Sequence, residues 1–98
     1  MTPKQLVPSL ELCQRAQKLR WKKETHFVWY ERWYKPDASI WKVWECRTSL
    51  VRYYGAIFAP TLQEVLEDIF ASGYRVPTLY SAEAALELWC ELEERKRE

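Results

Sequence analysis

Ninety-eight residues, 48% of them hydrophobic and 30% charged, with a net charge of +1, are the size of one folding unit and leave no length for a second core. Two glycines exclude phosphate-cradling loops of the Rossmann and P-loop kinds, and the uncharged stretch over residues 53–62 is about half of a membrane span. Residues 1–8 hold no apolar run of signal-peptide length, and three cysteines of unlike spacing make no disulfide framework, so the expected setting is cytoplasmic.

Residues 1–8 read as an N-terminal arm. Ser9 is a good N-cap residue with Glu11 in the following turn, and Leu12, Cys13, Ala16 and Leu19 recur at helical spacing. This predicts a first helix that fades at Arg20 into a polar connector over 22–25. Residues 26–34 and 40–47 are rich in aromatic and β-branched side chains, and the turn over 35–39 joins them as an antiparallel hairpin. Alternation places Phe27, Trp29 and Trp33 on one face and Val28, Tyr30 and Tyr34 on the other. Residues 50–54 offer a third strand, ended by Gly55 or by the residues just after it.

Thr61 and Glu64 have capping-box spacing, and Leu62, Val65, Leu66, Ile69 and Phe70 form a core-facing stripe that Gly73 terminates. Residues 74–80 read as a connector with room for a short edge strand. A last helix opens at Ser81 and runs towards Lys96, with Ala82, Ala85, Leu86, Trp89 and Leu92 on its apolar face and residues 95–98 frayed. The expected architecture is an α+β domain over 1–98, an antiparallel two- or three-stranded sheet with about three helices on one face, in the order α-β-β-(β)-α-α.

The segments Pro8-Ser9-Leu10-Glu11-Leu12, Phe27-Val28-Trp29 and Ala59-Pro60-Thr61-Leu62-Gln63-Glu64-Val65-Leu66 resemble a set of small phage and prophage proteins. Those proteins also end in an Ala/Leu-rich helix similar to Ala82-Glu83-Ala84-Ala85-Leu86-Glu87-Leu88-Trp89. The resemblance implies a mobile-element origin and carries no assigned activity. The dense tryptophan run between 29 and 44 has no counterpart in that pattern.

Charge is uneven along the chain: residues 1–55 sum to +6 and residues 56–98 to −5. Attraction between the halves within one fold accounts for this, as does a contact with a polyanion or between unlike faces of two copies. Six tryptophans and six tyrosines exceed the ordinary share, and the hairpin interleaves them with cations. Trp29, Tyr30, Arg32, Trp33, Tyr34, Trp41, Lys42, Trp44 and Arg47 are therefore the candidate interaction surface.

A protein partner or self-association is the first expectation, since Trp and Tyr favour interfaces. Single-stranded nucleic acid, stacking on rings and meeting Lys and Arg, is the alternative, with Glu31 and Glu45 interrupting the positive field. The same rings also fit a small core and cross-strand pairs. No cofactor, metal or membrane partner is expected. Cys13 and Cys90 read as small buried hydrophobes, and the carboxylates of the last two helices as a solvated face. A small enzyme using Cys46 or those carboxylates is the distant alternative, and the chain is read as non-enzymatic.

Overall fold

The computed structural model describes residues 3–47, 51, 55–74 and 81–97. Where an arm is expected, Pro3–Leu6 forms one helical turn, α1, and Val7 and Pro8 behind it are buried. Helix α2 (Leu10–Lys18) begins where Ser9, in extended backbone, accepts the Leu12 N–H. It ends in a double-hydrogen-bonded turn: Arg20 donates to the Gln17 carbonyl and Trp21 to the Ala16 carbonyl, each at 3.0 Å. Arg20 holds the left-handed position of that turn, with φ 67°, a conformation glycine adopts at lower cost.

Three strands follow, β1 (Phe27–Lys35), β2 (Ala38–Glu45) and β3 (Ile57–Ala59), antiparallel and in the spatial order β2-β1-β3. The third described strand lies after Gly55; of the 50–54 segment expected to form one, residues 50 and 52–54 fall outside the described residues. Gly55 has φ 59°, a left-handed conformation that glycine adopts readily, and the chain runs from it into β3. The connector over 75–80 likewise falls outside.

Helix α3 (Leu62–Ala71) carries the complete capping box. Glu64 N–H donates to Thr61 Oγ1, and Thr61 N–H donates to Glu64 Oε1 at 2.9 Å. Its C-terminus closes through Gly73 (φ 88°), with Gly73 and Tyr74 donating to the Phe70 and Ile69 carbonyls. Helix α4 (Ala82–Lys96) is capped by Ser81 and stays helical through Lys96, with Arg97 as its C-cap. Within the segment expected to fray, the Arg97 guanidinium donates to the Leu19 carbonyl at 2.8 Å.

The chain is thus an α+β fold with three longer helices and a three-stranded sheet, in the order α-β-β-β-α-α. Its core joins Phe27, Trp29, Ile57 and Ala59 of the sheet to Leu12, Cys13 and Ala16 of α2, Val65 and Ile69 of α3, and Ala85, Leu86, Trp89 and Cys90 of α4. Phe70 departs from the expected core stripe. It is 50% exposed beside Leu6, Leu62 and Leu66, since only Val65 and Ile69 of α3 turn fully inward.

Carboxylates tie the layers together. Ser9 donates from its N–H and its hydroxyl to Glu83, Arg15 pairs with Glu94 at 2.8 Å, and the Trp89 indole donates to Asp68 at 2.6 Å. Glu64 accepts the His26 N–H at 3.0 Å, anchoring the entrance of β1 to the N-terminus of α3.

Candidate interaction surface on the hairpin

The β1–β2 register decides what each hairpin side chain faces. Val28 pairs with Trp44, Tyr30 with Lys42 and Arg32 with Ile40, and directly paired residues share a face. Phe58 of β3 joins this row beside Val28, but Val28 is fully buried and Phe58 packs on the core, so along β1 the row is open only from Tyr30 onward. The opposite face takes Phe27 with Glu45, Trp29 with Val43, Glu31 with Trp41, and Trp33 with Ser39. Because Phe27, Trp29, Trp41 and Val43 belong to or pack on the core, this second face is the one the helices cover.

Exposure along β1 follows distance from the helices more closely than it follows alternation. Phe27, Val28 and Trp29 are all buried, Tyr30 and Glu31 are half-buried, and Arg32 through Lys35 are exposed. The hairpin therefore outruns its cover, and the molecule is elongated, 45 × 33 × 21 Å. Trp33, on the covered face by parity, is nevertheless 58% exposed. At Trp33–Lys35 the register shifts through a bulge, and Tyr34 sits exposed within it.

Trp29 does not belong to the interaction surface proposed from sequence. It is 6% exposed, and its indole N–H donates to the Pro8 carbonyl at 3.0 Å, so both ring and polar handle are spent inside. Trp41 is half-buried and packs against the core. The remaining candidates separate into two groups. Tyr30, Arg32, Lys42 and Trp44 share the open face together with Ile40, with Arg47 exposed just beyond β2. Trp33 and Tyr34 mark the tip. Trp44 is 51% exposed.

The two hairpin carboxylates fall on the other side. Glu45 shares the covered face with Phe27, and Glu31 accepts the Ser39 hydroxyl at 2.6 Å there. The open face thus receives Arg32 and Lys42 without a hairpin carboxylate between them. Sequence reasoning set Glu31 and Glu45 against the positive field, yet their odd numbers, shared with Phe27 and Trp29, already carried the signal that they face away from it.

All three thiols are held away from their reactive form. Cys13 is buried, its Sγ donates to the Pro8 carbonyl, and burial pushes its pKa up to about 12. Burial likewise pushes Cys90 up to about 11, and half-buried Cys46 is raised by desolvation and then by Glu24 and Glu64. A thiolate is the reactive form, so each shift works against reactivity. His26, exposed at the entrance of β1, has its ring edge-on to Phe27 at 4.6 Å. Among the described residues no group of three or more His, Cys, Asp or Glu lies placed to hold a metal ion, and no helix is long and apolar enough to cross a membrane. Part of the acidic set expected as a solvated face is committed elsewhere, since Glu64, Asp68, Glu83 and Glu94 all hold donors from other elements.

Comparison with family models, with curated proteins and with solved structures returns no match for the chain.

Proposed function

We propose that this chain is a non-enzymatic accessory protein that works by binding, and that it binds through the open face of its hairpin. The observation that carries this reading is the sorting of charge by register: rings and cations on the open face, hairpin carboxylates on the other. Tyr30 and Trp44 offer ring faces on two neighbouring strands, while Arg32 and Lys42 on the same face supply cations for phosphates. Single-stranded nucleic acid fits that chemistry, because bases stack on sheet aromatics and the backbone meets Lys and Arg.

Titrating a mixed-sequence single-stranded oligonucleotide at low salt is expected to quench tryptophan emission, with affinity falling steeply as salt rises. Trp44→Phe is expected to remove most of the response, and Arg32→Ala with Lys42→Ala to flatten the salt dependence. Unchanged emission at micromolar protein overturns the nucleic-acid reading.

A protein partner is the second reading, favoured by Ile40 and Trp33, which are 48% and 58% exposed and add apolar contact that phosphates do not use. In that case Trp33→Ala and Ile40→Ala abolish binding, and Arg32→Ala leaves it nearly intact. A cytoplasmic setting, carried by three free cysteines, and a phage or prophage origin, carried by the resemblance of the 8–12, 27–29 and 59–66 segments, belong to the same proposal.

A further inference from the structure

The order β2-β1-β3 leaves the outer side of β2 without a strand among the described residues. Its hydrogen-bonding groups can be assigned. Cys46 N–H donates to the His26 carbonyl at 2.8 Å, and this pair continues the β1–β2 register by one step. Bonded pairs alternate along an antiparallel ladder. Ile40, Lys42 and Trp44 therefore turn their amides towards β1, and Ser39, Trp41, Val43 and Glu45 turn theirs outward. The usual devices that blunt such an edge are proline, a bulge, or repeated lysine. Here the bulge lies in β1, the outward row has no proline, and Lys42 is the single cation of the strand.

We propose that this edge pairs with the same edge of a second copy, antiparallel about a two-fold axis through Trp41. Charge and overlap select that axis. An axis at Lys42 sets two ammonium groups in a non-bonded pair whose Cα atoms are about 4.5 Å apart. An axis at Ile40 or Val43 shortens the paired segment to residues 38–42 or 41–45. The Trp41 axis pairs residues 38–44, sets Ile40 against Lys42 of the partner subunit, and brings the two half-buried Trp41 rings together on the covered side. A two-fold perpendicular to the sheet keeps both open faces on one side. The result is a continuous sheet of twice the three strands. The proposal stands on the strand edge and not on which ligand the open face takes.

Light scattering coupled to gel filtration is expected to give double the 11.9 kDa chain mass. Trp41→Lys, which places two cations at the axis, is expected to halve that mass with an unchanged far-UV spectrum, and Trp41→Phe to keep the dimer. As a check independent of that variant's folding, Trp41→Cys in a Cys46→Ser background is expected to give a covalent dimer on mild oxidation, while Lys42→Cys in the same background does not. A wild-type chain that stays monomeric at its highest soluble concentration overturns the proposal. So does a dimer that survives Trp41→Lys, or one in which only Lys42→Cys cross-links.

Discussion

The first and last thirds of β1 carry the same kind of side chain and meet opposite fates. Phe27, Val28 and Trp29 are buried on both faces of the sheet, whereas Arg32, Trp33 and Tyr34 are exposed on both. Aromatic side chains populate both stretches, so residue type does not decide burial here. Reach does: β3 pairs only with residues 27–29, and Glu64 fastens the strand at His26. In a chain this short the cover is limited, and the sheet extends past it.

The sharpest test of that difference sets Trp29 against Trp33, two indoles of equal parity. Trp29→Ala is expected to cost about 3–5 kcal/mol in urea unfolding, and Trp33→Ala to stay within about 0.5 kcal/mol. Equal losses would erase the distinction between anchored and projecting halves. Alkaline pH should strike only the anchored half, where Cys13 and Trp29 share the Pro8 carbonyl as acceptor. The folded thiols of Cys13 and Cys90 hold their protons to about 12 and about 11, against 9.0 when unfolded. The unfolded chain therefore loses protons first. Stability is full below pH 9 and falls progressively towards pH 11–12, on the order of a few kcal/mol. Denaturant melts across that range check it, and Cys13→Ala should flatten the fall.

Cutting the fastening at the base is a smaller perturbation. Glu64→Ala removes half of a capping box and the acceptor for His26 N–H, and is expected to cost about 1–2 kcal/mol. Hydrogen exchange should then show residues 27–29 opening more often while the tip, already open, is unchanged. Least of all, and opposite in sign, Arg20→Gly relieves the left-handed residue behind Trp21 and is expected to add about 0.5–1 kcal/mol to the unfolding free energy.

Local chemistry made much of this fold legible. Ser9, Thr61 and Ser81 announced their helices, Gly73 its turn, and residues 35–39 the hairpin, because caps and turns depend on a few adjacent side chains. The strand over Ile57–Ala59 went unread because three residues carry little strand signal of their own beside the richer run at 50–54, and pairing with Phe27, Val28 and Trp29 is a long-range choice. The α1 turn was invisible for want of any cap or periodicity over so few residues. For the surface, parity placed residues 27–33 on the faces their register gives them, while the bulge leaves Tyr34 without a register partner, and the exposure of Phe70 and the burial of Trp29 depend on where other elements stop. The clasps made by Asp68, Glu83 and Glu94 read in the sequence only as negative charge.

Those clasps also bear on how the chain is made. Glu83, Glu94 and Arg97, late in the chain, hold Ser9, Arg15 and Leu19, while Ala85, Leu86 and Trp89 join α2, β1 and β3 in one core. During synthesis the aromatic hairpin leaves the ribosome well before the helix that completes its cover. The nascent chain must wait with its indoles bare until α4 emerges, an interval in which chaperones or another nascent hairpin have first access to them.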